Sequence, residues 1–210
     1  MSRERVSSLQ RWALVLGSLV VVLVVDQLSK DWALGRLTGG RIVDVIGTLR
    51  FNLAFNTGMA FSKGSGSGAI IGTIALAIVV VLALVARKVE SRLQLVLIGV
   101  VMGGALGNVA DRLFRAPLAG QPDGFMSGAV VDFIDVQFWP IWNVADMAVV
   151  VGGIMLAVIG AFAPVAEDDA ADDSDGTVDG GGPDQAIDPA AADSERPGSS
   201  AGLDDTDPAR

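Results

Sequence analysis

The sequence predicts a mainly α membrane protein, a bundle of four spanning helices followed by a disordered acidic tail. Of its 210 residues 51% are hydrophobic and the mean hydropathy is +0.52, both high for a water-soluble domain. Four apolar stretches recur at about 12–34, 69–86, 93–110 and 141–165, each at or above the ~18 residues at which an apolar run reads as a membrane span. Charge is segregated too. Residues 167–210 hold 14 acids and 2 bases, whereas residues 1–166 hold 10 acids and 13 bases.

Residues 1–11 form a short N-terminal segment carrying Arg3, Arg5 and Arg11. The apolar run from Trp12 continues through the charged DQLSK to Leu34 with no clear small-x-small cleavage site behind it, so it reads as a retained anchor rather than a cleaved signal peptide. In TLRFNLAFN, Leu49, Phe51, Leu53 and Phe55 alternate with Arg50, Asn52, Ala54 and Asn56. That period of two predicts a strand with its apolar face on the membrane surface. The strand enters NTGMAFS, where Gly58 suits a positive φ or a close approach to a ligand. The second span, Ala69 to Ala86, has no charge, and Arg87, Lys88 and Arg92 crowd the short connection to the third. Gly103, Gly104 and Gly107 give the third span a surface for close helix contact. Before the fourth span, VVDFID sets Asp132 between Val131 and Phe133, while Asp135 reads as a solvated loop charge. From Glu167 onward there are too few large apolar residues to offset chain entropy, so residues 167–210 are expected to be disordered.

Four spans put both termini on one side. Basic residues before the first span and between the second and third place that side in the cytoplasm. Asp26, Lys30, Asn108, Asp111, Arg112, Asn143 and Asp146 then fall at the outer ends of their spans, and Asn56 and Asp132 in the outer connections. This clustering favours one shared site near the outer face. A transporter needs polar residues along the full depth of the membrane, and the inner halves offer little beyond Gln94. An anchoring or scaffold protein would use the same glycines and polar pairs as helix glue.

The chain contains no Cys, His or Tyr. That excludes disulfides, thiolate nucleophiles and the commonest metal ligand, leaving proton chemistry to carboxylates, Lys and water. No metal, cofactor or nucleic-acid partner is expected. Asp26 and Lys30 are four apart with the acid first, the favourable order for a helical ion pair. Asn108 and Asp111 share a helix face, as do Asn143 and Asp146. Asp111 and Arg112 are expected to form a buried ion pair. An unpartnered carboxylate at mid-bilayer costs about 2.5–3.5 kcal/mol on insertion scales, so Asp146, at the head of a stretch uncharged up to Glu167, needs a purpose. Asp132 lies fourteen residues before it, across a turn-forming Pro140. Two carboxylates that share a proton can divide the tasks of base and acid, and such a pair activates water against an amide.

DQLSK, NTGMAFS, GGALGNVADR, VVDF and NVAD, in this order across four spans, resemble the lipoprotein signal peptidases (signal peptidase II), over about Trp12 to Phe162. The resemblance implies a four-helix transmembrane bundle with a small extracytoplasmic β-sheet in the bacterial cytoplasmic (inner) membrane. It implies an aspartic endopeptidase that removes the signal peptide of prolipoproteins just before a diacylglyceryl-modified Cys, with prolipoproteins and membrane lipids as its partners and no cofactor. A monomer is expected. Matched by motif, Asp132 and Asp146 correspond to the catalytic pair; Asn56, Gly58, Asn108, Arg112 and Asn143 to substrate-site residues; and Asp26, Lys30 and Asp111 to supporting residues, Asp111 through Arg112. The stretch from Leu113 to Ala129 is long for the family and the interval between the two acids short.

Overall fold

The computed structural model describes residues 6–58, 67–121 and 123–162. Met59 to Ser62 of NTGMAFS and the acidic tail lie outside the described residues.

Helix α1, Ser8–Leu37, starts on a capping box in which the Ser7 hydroxyl accepts from the Gln10 backbone N–H and the Gln10 side chain accepts from that of Ser7. Its 30 residues rise about 45 Å, so it outreaches the hydrocarbon and extends beyond the 12–34 expected. Gly39 and Gly40, at φ +84° and +79°, let the chain leave the helix in a conformation that residues with a Cβ avoid. Strands β1, Ile42–Ile46, and β2, Leu49–Asn56, then form a hairpin around Gly47, and β3, Val130–Asp135, joins the free edge of β2. The result is an antiparallel sheet in the order β1-β2-β3. A register shift between Phe51 and Ala54 interrupts the pairing of β2 with β3.

The apolar side of β2 does not serve the membrane surface alone, as the alternation had suggested. Phe51 and Leu53 pack on Ala33 and Leu37 of α1 and Phe133 of β3, with the Phe51 ring 5.2 Å from that of Trp32 in an edge-on contact. The sheet is therefore seated on the end of α1.

Helices α2, Ser67–Ala86; α3, Arg92–Phe114; and α4, Val144–Ala161, complete the bundle. All four helices are long and apolar enough to cross a membrane, yet their burial differs: 61% for the most apolar window of α3 against 11–17% for the others. The central position of α3 follows from its small residues. A Cβ on Gly103 would meet the Leu19 carbonyl of α1, and one on Gly104 the Ala145 carbonyl of α4. The fourth span is shorter than the expected 141–165, because Asn143 caps the helix and leaves Ile141 and Trp142 outside it. Arg11 donates to the Val89 carbonyl at 3.2 Å, which puts the start of α1 beside the basic turn between α2 and α3. The polar residues gather at the opposite end.

Candidate active site

Asp146 belongs to a helix start. The Asn143 side-chain oxygen accepts from the Asp146 N–H at 2.9 Å, and the Asp146 carboxylate accepts from the Asn143 N–H at 3.2 Å. A carboxylate in the first turn also meets the positive end of the helix dipole. Backbone donors thus offset part of its desolvation. Asp132 sits on β3, opposite Ala54 of β2, and is 4% exposed.

Two carboxamides join the acids. Asn143 Nδ2 donates to Asp132 Oδ1 at 2.6 Å and to Asn108 Oδ1 at 3.1 Å, and Asn108 Nδ2 donates to Asp146 Oδ1 at 2.8 Å. Burial, reinforced by the Asp146 carboxylate, pushes Asp132 from its ordinary 3.8 up to about 7, against the Asn143 and Asn56 amides and the Lys30 charge, which favour ionisation. The acids therefore occupy unlike environments, one enclosed and one half-buried. That is the condition for a pair in which one group holds a proton while the other is charged.

Below the pair lies a buried charge cluster. Lys30, fully buried, reaches Asp26 Oδ2 and Asp111 Oδ2 at 2.8 Å each and Asn108 Oδ1 at 3.0 Å. The expected pairing of Asp111 with Arg112 is not found. Asp111 instead holds Lys30 and, at 2.7 Å, Arg115, because adjacent helical residues diverge while those four apart meet. Arg115 also reaches Asp31 at 3.0 Å, and Gln27 bridges Asp26 and Asp111. Sequence reasoning missed both Gln27 and Arg115, although the four-residue spacing from Asp111 to Arg115 was there to be read.

Arg112 is 5% exposed, and among the described residues its Nη1 has no hydrogen-bond partner. It points toward Gly68 at the start of α2, where a Cβ would meet it. Thr57 Oγ1 is buried as well and has no hydrogen-bond partner among the described residues. Asn56 accepts from the Gly58 N–H at 2.9 Å, and Gly58 has φ +87°, as the sequence led one to expect. Asp135 is no solvated loop charge: it ends β3, is 4% exposed, and pairs with Arg50 at 2.7 Å. That bond holds its carboxyl below the usual carboxylate range.

The geometry brings together two carboxyls in unlike environments, fixed amide donors and, in Arg112, a buried cation whose Nη1 has no partner among the described residues. The family model described as signal peptidase (SPase) II matches residues 18–162. Among similar proteins, the lipoprotein signal peptidase of Mycobacterium leprae is 38% identical over 154 residues, 73% of this chain and 74% of that one. That of Streptomyces coelicolor is 37% identical over 157 residues, 74% of each chain. A solved bacterial membrane enzyme matches 79% of this chain and 100% of its own with a TM-score of 0.61 at 24% identity, a likeness of fold.

Proposed function

Since the chain belongs to the signal peptidase II family, we propose that it removes the signal peptide of diacylglyceryl-modified prolipoproteins, cleaving before the lipidated Cys with Asp132 and Asp146 as the catalytic pair. The observation that carries this assignment is the amide bridge, which joins an enclosed carboxyl to a half-buried one. Asp132, raised to about 7, holds the proton near neutral pH. Asp146 takes a proton from water as that water attacks the scissile carbonyl, and Asp132 supplies the proton that the departing amine needs. The enzyme uses neither metal nor cofactor.

Asn56, whose amide reaches Asp132, Gly58, whose N–H is held by Asn56, and Arg112, whose charge acts on both acids, are assigned to substrate binding. The unpaired Arg112 Nη1 and Thr57 hydroxyl suit a carbonyl or ester oxygen of the incoming lipopeptide. The substrate reaches the site sideways from the bilayer, so membrane lipids surround the complex. The enzyme acts as a monomer, with both termini in the cytoplasm and the site near the outer face.

The test is cleavage of a prolipoprotein, with and without its diacylglyceryl group, by wild type, Asp132→Asn and Asp146→Asn at equal membrane levels. Wild type cleaves the lipidated form alone and both variants lose at least a hundredfold in rate. Variants as active as wild type overturn the pair, and cleavage regardless of lipid overturns the substrate.

A further inference from the structure

Lys30, Asp26 and Asp111 lie outside the reacting pair, yet each bonds to something that touches it. Asp26 Oδ1 accepts from the backbone N–H of Ala145 at 2.9 Å, and Asp111 Oδ2 from that of Val131 at 3.2 Å. Ala145 immediately precedes Asp146, and Val131 immediately precedes Asp132. The two acids that flank Lys30 thus each grip the backbone one residue before one member of the pair. Lys30 neutralises them and spends its third N–H on Asn108 Oδ1.

That third bond decides which way the Asn108 amide faces. An ammonium has three donors and no acceptor. Asn108 Oδ1 takes Lys30 Nζ and Asn143 Nδ2, which uses both lone pairs and turns Nδ2 onto Asp146. Flipped, the amide would set its NH2 against two donors and its oxygen against a carboxylate. We propose that Lys30 is a positioning residue that locks the Asn108 carboxamide with its N–H on Asp146 while Asp26 and Asp111 set the backbone before each aspartate. The inference rests on the assignment of Asp132 and Asp146 as the catalytic pair.

The charged groups that bear on the pair are Asp26 and Lys30 from α1, Asp111, Arg112 and Arg115 from α3, Asp132 from β3 and Asp146 from α4. Lys30 is the cation bonded to the amide that touches Asp146. Its removal therefore raises the pH at which the pair gains its second proton.

The experiment records pH profiles of kcat and KM for Lys30→Met and Asn108→Asp in the full-length, membrane-embedded enzyme, with thermal unfolding measured alongside. For Lys30→Met, kcat falls at least thirtyfold with KM within threefold, and the acid limb moves up by half a pH unit or more. Asn108→Asp keeps an oxygen for Lys30 and Asn143 but donates to Asp146 only while protonated, so its alkaline limb moves down by a pH unit or more. A folded Lys30→Met with wild-type limbs and kcat overturns the proposal. If Lys30→Met does not fold, Asn108→Asp decides alone, and loss of its activity with unmoved limbs overturns the proposal. Should Asp146→Asn stay active, the pair itself has failed; should it be dead while both limbs above stay fixed, only the positioning role has failed.

Discussion

Asp132 is enclosed, 4% exposed, where an ionised carboxyl costs the fold free energy. Its carboxyl titrates near 7 in the folded chain and near 3.9 when unfolded, so between those values the folded state binds more protons and stability falls as pH rises. Below about pH 4 the penalty is absent; above about 7 it is complete, on the order of 4 kcal/mol from the three-unit separation. Asp132→Asn keeps a group able to accept from Asn143 and removes the charge. It is expected to raise the unfolding temperature at pH 8 and leave it unchanged at pH 4, as thermal melts in detergent will show. Unequal stabilisation in the opposite order would mean that Asp132 is ionised at low pH. The same residue scale shows what the sequence could reveal. Costly polar residues at the ends of apolar spans drew attention to Asp146 and Lys30, and an acid between Val131 and Phe133 to Asp132, through residue type alone. Partner choice was less legible: adjacency suggested Asp111 with Arg112, whereas the helix turns neighbours apart and gives Asp111 to Arg115.

Among the elements, β2 was legible because its side chains alternate, and α2 because it is apolar throughout. VVDFID was not read as a strand, since six residues that owe their conformation to pairing with β2 carry little local signal. The start of α4 was misplaced for a related reason. Hydropathy counts Ile141 and Trp142 with the span, while the reciprocal bonds of Asn143 and Asp146 start the helix at Val144. The glycines of α3 were read as contact residues, and each meets a specific atom. At Gly107 a Cβ would strike the Asp26 carboxylate, whereas at Gly153 it would meet nothing within 4 Å. Gly107→Ala is therefore expected to cost about 1–3 kcal/mol by overpacking and to slow cleavage at least tenfold by displacing Asp26 from Lys30 and from the Ala145 N–H. Gly153→Ala should gain up to about 1 kcal/mol from helix propensity with cleavage unchanged. Melting temperatures and cleavage rates of the two variants check this together, and equal behaviour would refute a role for the close approach at Gly107.

For the whole molecule, direction across the membrane decides whether the site meets its substrate. Arg11 bonds to the turn that follows Arg87 and Lys88, which places the basic ends of α1, α2 and α3 on one side, and the pair of aspartates lies at the other end of the same helices. The positive-inside rule predicts that the basic end lies in the cytoplasm; on the orientation proposed above the acids would then face outward, toward a prolipoprotein already exported. The absence of Cys makes this directly measurable. Glu90, exposed in the basic turn, and Asp123, exposed in the segment between α3 and β3, are each replaced singly by Cys and treated with a membrane-impermeant maleimide. In intact spheroplasts Asp123→Cys is expected to label and Glu90→Cys to remain unlabelled until the membrane is opened. Inside-out vesicles should reverse the result. The opposite pattern would put Asp132 and Asp146 on the cytoplasmic side, before export of the substrate, and the orientation would have to be abandoned although the site itself stood. Labelling of both positions in intact spheroplasts would break the even number of crossings that four helices require.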